Sequence, residues 1–268
     1  MKIGAQPDVR HTPRQAFEFV ADHGLNHVEI LMDHPLYSLE ALSYNEILEL
    51  VWSYEVELLI HAPATSTNFI SISETMRRAS YEELSKVLRL AERCGAEVVT
   101  FHLGWNPGFI NNGSFYFDAK LYDEHGERVL RNELKPFLES SPVTLALENT
   151  IAIEGRIRMA LTEILEETDL ALTLDVGHYN LRRCDFFIEN FERVVNVHLH
   201  DNNGERDEHL ALGRGKVDLS AFPLEGYKKY LTIETRETNS ILETRDYLIR
   251  YMNELHDRQR ARVRRAPD

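Results

Sequence analysis

Histidine and carboxylate side chains follow a series of short apolar runs along the chain. Eight polar residues end such runs, and seven of them can bind a metal ion or move a proton. Burying so many ionisable groups is unfavourable unless a partner such as a divalent cation compensates their charge. Mixed imidazole and carboxylate ligands suit zinc, manganese, iron or cobalt better than magnesium or calcium. The eight residues are Gln6, Glu29, His61, His102, Glu148, Asp175, His198 and Glu234.

Four of these residues end four successive apolar runs and could encircle one ion. Two of the four are glutamates, and Glu148 and Glu234 could face each other across the metal as acid and base. The metal would hold their ionised forms and polarise a substrate oxygen. A single histidine after a strand is more often a hydrogen-bonded core residue, so the hypothesis depends on the whole set. The four residues are Glu148, Asp175, His198 and Glu234.

A second tier of candidate ligands lies just beyond the later apolar runs. His178 follows Asp175 by three residues, and Asp207 and His209 are two residues apart. Residues 201–215 could equally form an ordinary solvated loop, because they are rich in Asn, Gly and Asp. Both interpretations of Asp207 and His209 stay open at this point.

The apolar runs alternate with stretches of helical periodicity, the first of which begins at Thr12-Pro13 and ends near Gly24. Eight such strand–helix pairs in about 250 residues are typical of a (β/α)8 TIM barrel of the α/β class. Side chains at the carboxyl ends of its strands would share one site. The predicted strands cover residues 2–5, 27–31, 56–61, 97–102, 143–148, 170–175, 194–199 and 230–234. The later predicted helices cover 44–54, 74–94, part of 123–139, 158–167, 184–191 and 241–255.

An open, doubly wound sheet is the alternative architecture. That fold usually carries a glycine-rich phosphate loop after its first strand, and Gly4-Ala5-Gln6-Pro7 does not match one. We therefore expect a single TIM-barrel catalytic domain over residues 1–257. Residues 258–268 would form a basic C-terminal tail with five arginines. That tail is either a solvated, frayed end or an arm that contacts a polyanion.

Composition restricts the classes of function. The 268-residue chain is 43% hydrophobic and 28% charged, and it contains no apolar run long enough to cross a membrane. Residues 1–7 lack the apolar stretch of a signal peptide, and two cysteines cannot build a disulfide framework. We therefore expect a cytoplasmic protein without a membrane partner. The formal net charge of −14 disfavours extensive binding to phosphate backbones.

The motifs around these residues resemble the xylose isomerase-like TIM-barrel superfamily. This superfamily includes sugar phosphate isomerases and epimerases and the endonuclease IV family, also called AP endonuclease family 2. The resemblance covers residues 3 to about 251, and the order and spacing of the motifs are more specific than any one motif. The motifs are Ile60-His61-Ala62-Pro63, Phe101-His102-Leu103-Gly104, Ala146-Leu147-Glu148-Asn149-Thr150, Leu174-Asp175-Val176-Gly177-His178, Val197-His198-Leu199-His200-Asp201-Asn202, Asp207-Glu208-His209-Leu210-Ala211-Leu212-Gly213-Arg214-Gly215 and Thr232-Ile233-Glu234-Thr235.

The resemblance to the isomerases and epimerases implies one metal ion and a proton shuttle. The ion would be held by the four residues already grouped on sequence grounds. Glu148 and Glu234 would move a proton through an enediol-like intermediate, and His178 would contact the substrate. These three are the candidate catalytic residues. The candidate substrate-binding residues are Glu29, Asn149 and Arg214.

The resemblance to endonuclease IV-type enzymes implies a trinuclear zinc site that hydrolyses phosphodiesters at apurinic or apyrimidinic sites in DNA. Each of the nine ligands of that site has a match in this chain. Glu148 would bridge the first two ions, and the third ion would lie between His178, Asp207 and His209. The nine matching residues are His61, His102, Glu148, Asp175, His178, His198, Asp207, His209 and Glu234.

Three features favour the sugar branch. The second strand reads His27-Val28-Glu29-Ile30, which resembles the isomerase-like branch, where a glutamate often follows that strand. Residues 33–37 lack a basic and aromatic DNA-contacting pattern, and residues 62–65 lack an aromatic wedge. We therefore expect a divalent-metal-dependent isomerase or epimerase acting on a small sugar or sugar phosphate. DNA would be a partner only under the endonuclease alternative.

Ion number and assembly are less constrained by the sequence. We expect zinc or manganese, with one to three ions, and a homodimer is compatible with the pattern. A non-catalytic binding scaffold is a third possibility, but it would leave the many ionisable groups at the strand ends unexplained.

Overall fold

Eight parallel strands close into a barrel in the computed structural model, which describes residues 1–105, 108–116 and 119–265. The (β/α)8 prediction is confirmed, and each barrel strand ends within one residue of its predicted limits. The barrel closes where Ala5 pairs with both Val28 and Ile233. The strands are β1 (Lys2–Ala5), β2 (His27–Leu31), β3 (Glu57–His61), β4 (Val98–Phe101), the separate hairpin β5 (Phe109–Asn111) and β6 (Ser114–Tyr116), β7 (Thr144–Glu148), β8 (Ala171–Asp175), β9 (Val194–Leu199) and β10 (Tyr230–Ile233).

Helices cover the outside of the barrel, and their apolar faces pack against the strands in one large core. The first helix begins as predicted, because Thr12 caps it and Gln15 completes a capping box. The helices are α1 (Pro13–Asp22), α2 (Tyr44–Tyr54), α3 (Glu74–Cys94), α4 (Ala119–Val129), α5 (Lys135–Leu138), α6 (Gly155–Glu167), α7 (Val176–Leu181), α8 (Asp185–Glu189) and α9 (Thr238–Arg265).

The structure departs from the predicted elements in several places. Helix α7 (Val176–Leu181) was not predicted. The hairpin of β5 and β6 was not expected, although its Asn112-Gly113 turn has the positive φ angles that favour these residues. The helix expected within residues 123–139 is interrupted by a π-helical segment, Leu130–Leu134. The last helix continues to Arg265, about ten residues beyond its predicted end at 255.

The predicted basic tail therefore lies partly within α9. Its residues up to 265 continue the helix, and residues 266–268 lie outside the described part of the chain. The tail's contact with a polyanion stays a prediction. Across the described residues, none of the helices combines the length and the hydrophobicity that a bilayer crossing requires.

Strand periodicity explains how polar residues reach the mouth of the barrel, by which we mean the end where the carboxyl ends of the strands meet. Side chains two residues apart in a strand point to the same face. In β7, Ala146 belongs to a small apolar layer inside the barrel, and Glu148 lies at the carboxyl end of the strand. Tyr230 belongs to the same layer, and Thr232 and Glu234 follow it at intervals of two. The layer also contains Leu59, Val98 and Ala171.

Candidate active site

Four predicted metal ligands meet at the mouth of the barrel, where they form what we call the central cluster. Each offers one ligand atom, and these atoms lie within 4.8 Å of one another. All four residues are buried, with at most 2% of their surface exposed. The spacing is short enough for all four to contact a single cation. The central cluster consists of Glu148, Asp175, His198 and Glu234.

Asp175 is fixed by its neighbours on both sides. The Asn149 side chain donates to the Asp175 carbonyl at 2.8 Å and accepts from the Asp175 N–H at 2.6 Å. The Asp175 carboxylate also accepts the His178 N–H at 2.7 Å and so caps α7. Asn149 therefore ties the ends of β7 and β8 together, and its side-chain amide is hydrogen-bonded to the backbone of Asp175.

His198 is oriented by a second buried carboxylate. Its Nε2 lies 2.9 Å from Glu29 Oε1, and Asn196 holds the other oxygen of Glu29 at 2.7 Å. The opposite nitrogen, Nδ1, then faces Glu148 and Glu234, each at 3.4 Å. A metal-ligating histidine almost always has its second nitrogen bound in this way. Glu29 thus acts on His198, and it does not line the cavity described below.

A second group of potential ligands adjoins the central cluster at Glu148. His61 Nε2 lies 3.1 Å and His102 Nε2 lies 3.0 Å from Glu148 Oε2. The Nδ1 of His61 is 3.0 Å from the Ala62 carbonyl, which leaves Nε2 to face the carboxylate. His61, His102 and Glu148 are close enough to hold one ion.

Asp207 and His209 also reach the mouth, although their loop could have been a solvated one. His209 Nδ1 lies 2.6 Å from the Glu234 carbonyl, and its Nε2 lies 3.0 Å from Asp207 Oδ2. His178 Nε2 approaches the same oxygen at 3.4 Å. The buried Asp201 organises the loop, because its carboxylate accepts the N–H groups of Gly213, Gly215 and Val217.

His200 is a site residue that the sequence reasoning missed. It is fully buried, and its Nε2 lies 3.0 Å from Asp175 and 3.6 Å from Asp207. Its ring stacks on His209 at 4.1 Å between centroids. The sequence does contain a signal for His200. It follows His198 by two residues, and the alternation of β9, continued one residue past Leu199, turns both side chains to the same face.

The three predicted substrate-binding residues do not present free groups at the mouth. Glu29 and Asn149 are buried and bind other protein groups, as described above. Arg214 is 67% exposed on its side chain and donates to Glu243 at 2.6 Å. The structure instead brings Arg236, which the sequence reasoning did not single out, to the wall of the cavity.

A cavity of about 440 Å³ opens above the central cluster. Its floor includes Glu148 and Glu234, and its polar walls include His178 and Arg236. Apolar groups contribute as well, among them the largely exposed ring of Trp105. The space suits a small polar molecule with some apolar surface.

The mouth strongly favours positive charge. Burial alone would raise the pKa of Glu148, but His102 and His198 outweigh it and hold that pKa well below its usual value. For His198, burial alone would lower the pKa. The carboxylates of Glu29, Glu148 and Glu234 outweigh that effect and raise its pKa well above the usual value.

Two buried atoms of the central cluster indicate that a cation fits there. Among the described residues, neither His198 Nδ1 nor Glu234 Oε2 has a hydrogen-bond partner. The two atoms lie 3.4 Å apart. Buried polar atoms without partners are rare, and a metal ion would satisfy both at once. The mixed nitrogen and oxygen donors suit zinc or manganese.

A model of the xylose isomerase-like TIM barrel family matches residues 17–255. The chain belongs to this family. Curated relatives include two uncharacterized proteins of Methanocaldococcus jannaschii. MJ1311 is 26% identical over 258 residues, which cover 91% of this chain and 86% of the relative. MJ1614 is 31% identical over 180 residues, which cover 65% of this chain and 68% of the relative.

Solved structures of a sugar epimerase, an epimerase-like protein and a zinc-binding protein share the fold of this family member. A D-tagatose 3-epimerase-like protein superposes with a TM-score of 0.78 and 27% identity, covering 96% of this chain and 99% of that protein. An L-ribulose 3-epimerase gives a TM-score of 0.74 and 14% identity, covering 99% and 98%. The IOLI protein with a binding zinc atom gives a TM-score of 0.72 and 17% identity, covering 95% and 99%.

Proposed function

We propose that the protein is a divalent-metal-dependent sugar or sugar-phosphate isomerase or epimerase. The observation that carries this proposal is the central cluster, in which two glutamates, an aspartate and a histidine converge below a cavity of small-molecule size. The epimerase neighbours support it, because one of them resembles nearly the whole chain at 27% identity. Residues 1–257 would constitute its single catalytic domain.

The central cluster would hold the cation through its four side chains. A divalent ion bound there supplies Lewis acidity toward a substrate oxygen and stabilises ionised ligands. Glu29 and Asn149 would keep His198 and Asp175 in place, because each binds one of these ligands directly. Outer contacts of this kind are typical of functional metal centres.

Glu234 and Glu148 would move the proton. Glu234 has one carboxylate oxygen without a hydrogen-bond partner in the described structure, so Oε2 can accept a proton from the carbon next to a carbonyl. Glu148 reaches the same cavity from β7 and would deliver a second proton, taken up from solvent, to the opposite face of that carbon, while Glu234 would release its own proton to solvent. His178 would contact a substrate hydroxyl, because its ring lines the cavity between Glu148 and Asp207.

The cavity favours a small substrate over a macromolecule. At about 440 Å³ it can enclose a monosaccharide or its phosphate. The acidic net charge of −14 gives no general attraction for nucleic acid. These two properties support a sugar substrate over DNA for this chain.

Hydrolysis of phosphodiesters by a trinuclear zinc site is the second candidate function. A specific observation favours it: two further groups of potential ligands adjoin the central cluster. One is His61 and His102 with Glu148, and the other is Asp207 and His209 with His200. More than one ion could therefore bind, as in the multi-metal sites of many phosphodiester-cleaving enzymes.

Proton exchange in heavy water tests the sugar proposal directly. The manganese-loaded protein would be incubated in D2O with D-tagatose, D-allulose or L-ribulose, and NMR would follow deuterium at the carbon beside the carbonyl. We expect incorporation with at least one sugar, and none with the Glu234→Gln variant. An absence of exchange with these sugars and with their phosphates would contradict the proposal.

Metal analysis and a DNA assay test the second candidate. About three zinc ions per chain, together with nicking of a duplex that carries an abasic site, would favour the endonuclease function. About one ion per chain and an intact duplex would favour the isomerase.

A further inference from the structure

Arg236 reaches back from the end of β10 to Glu234. Its Nη2 donates to Glu234 Oε1 at 2.5 Å, and its Nε donates to Gln6 Oε1 at 3.1 Å. The side chain is 31% exposed and forms part of the cavity wall. One guanidinium therefore connects a carboxylate of the central cluster to the loop that follows β1.

The backbone of Arg236 is in an unfavourable conformation. Its φ is +58°, in the left-handed region that residues with a side chain seldom adopt. Three other non-glycine residues in the described ranges share this feature. Glu55 is the C-cap of α2 and Asn112 lies in the turn of the hairpin, so local chain geometry explains the positive φ of both. His209 and Arg236 instead share a contact with Glu234.

Neighbouring segments hold this conformation in place. The Val9 N–H donates to the Arg236 carbonyl at 3.2 Å. Thr238, two residues after Arg236, donates its backbone N–H and its hydroxyl to the Asp8 carboxylate at 2.8 and 2.9 Å. Backbone strain that the surrounding fold enforces is concentrated at functional sites. The strain at Arg236 thus serves the contact with Glu234.

The contact makes the two oxygens of Glu234 unequal. Oε1 is bound by Arg236, whereas Oε2 has no hydrogen-bond partner within the described structure and faces His198 Nδ1 at 3.4 Å. Glu148 differs, because both of its oxygens face imidazoles at 3.0–3.1 Å. Arg236 therefore selects the oxygen of Glu234 that points into the central cluster.

From these contacts we infer that Arg236 is a positioning residue for Glu234. It holds Oε1, so that Oε2 remains directed at the cation and at the substrate. The inference rests on the proposed function, because it assumes that Glu234 is a metal ligand. Arg236 acts through Glu234 and need not touch the substrate.

Arg236→Gly provides a sharp test, because glycine relieves the left-handed backbone while it removes the guanidinium. We expect Mn²⁺ affinity, measured by titration calorimetry and by the EPR spectrum, to fall by about 10- to 100-fold. The relief of the backbone should offset part of the stability lost with the ion pair to Glu234. Arg236→Lys, which keeps the charge but cannot bind Glu234 and Gln6 together, should lose part of this affinity. Glu55→Gly is the matched control, and it should raise the melting temperature and leave Mn²⁺ affinity unchanged.

Three results would overturn the inference. Wild-type Mn²⁺ affinity in Arg236→Gly would show that Glu234 needs no positioning, and tighter binding would show that the guanidinium only repels the ion. A lower melting temperature with unchanged affinity would show a purely structural role. Glu234→Gln separates this inference from the proposed function. If Mn²⁺ affinity is unchanged in that variant, Glu234 is not a ligand, and the proposed metal centre and the inference both fall.

Discussion

Two buried histidines at opposite ends of the barrel differ in the direction of their pKa shifts. His27 begins β2, and burial lowers its pKa from 6.5 to about 4. His198 lies near the end of β9, where carboxylates overcome burial and raise its pKa well above the usual value. Both side chains are fully enclosed. Burial alone therefore does not decide which histidine carries charge.

The neighbours of the two histidines explain the difference. At the amino-terminal end of the barrel, the Thr232 hydroxyl lies 2.8 Å from His27 Nε2. The nearby Glu57 carboxylate accepts hydrogen bonds from Lys2 at 2.7 Å and from the Tyr230 hydroxyl at 2.6 Å. At the mouth, carboxylates surround imidazoles, and Arg236 is the only permanent cation among the described residues that line the cavity. The charges at the amino-terminal end of the barrel are paired with one another, whereas the mouth favours a cation.

Among the variants that compare the two ends of the barrel, Glu234→Gln should have the largest effect on activity. We expect turnover to fall by about 1,000-fold or more, because the variant lacks both a ligand and a proton acceptor. Glu57→Gln, at the amino-terminal end of the barrel, is the control. It should keep full activity and lose about 1 kcal/mol of unfolding free energy, since its partly exposed ion pair is weak. Steady-state kinetics and chemical denaturation measure the two effects, and equal activity in both variants would refute the assignment.

The pH dependence of stability should reveal His27. Its pKa is lower in the folded protein than in the unfolded chain, so protons bind the unfolded state first. Stability is therefore complete above pH 6.5 and is lost as the pH falls to about 4, by about 3 kcal/mol. Denaturation of the wild type and of His27→Gln across this range isolates the contribution. A constant difference between the two proteins would show that His27 titrates normally.

A pair of glycines allows the same comparison through packing. A Cβ on Gly177 would overlap the His200 ring, and one on Gly4 would overlap His27. Both alanine variants should lose about 1–3 kcal/mol of unfolding free energy. Only Gly177→Ala should also weaken Mn²⁺ binding, because His200 contacts Asp175. Calorimetric titration of both variants checks this, and unchanged affinity in both would exclude a link between His200 and the metal centre.

The smallest expected effect concerns the support behind His198. Glu29→Gln keeps a hydrogen-bond acceptor beside Nε2 but removes its charge. We expect Mn²⁺ affinity to fall by about tenfold, with little change in the fold. A change in KM without a change in Mn²⁺ affinity would instead support the earlier assignment of Glu29 to substrate binding.

Much of the fold and of the central cluster could be predicted from the sequence. Apolar runs of strand length locate every barrel strand, and the residue that ends each run is placed by the parallel topology. The hairpin after β4 was missed because its exposed Phe109 and Ile110 lack the burial pattern of a strand. His200 was missed although it follows His198 by two residues, because the predicted strand ends at Leu199 and His200 lies just beyond it.

The sequence by itself determined which strand-end side chains reach the mouth, because a period of two residues assigns each one to a face of its strand. It could not decide how those side chains divide their contacts. Glu29 and Asn149 match substrate-binding expectations in sequence, yet the folded chain uses them to hold His198 and Asp175. The distances that decide this arise only when the barrel closes, since they join residues far apart in the chain. Arg236 shows the same limit, because its contact with Glu234 depends on a backbone angle set by packing against the loop after β1.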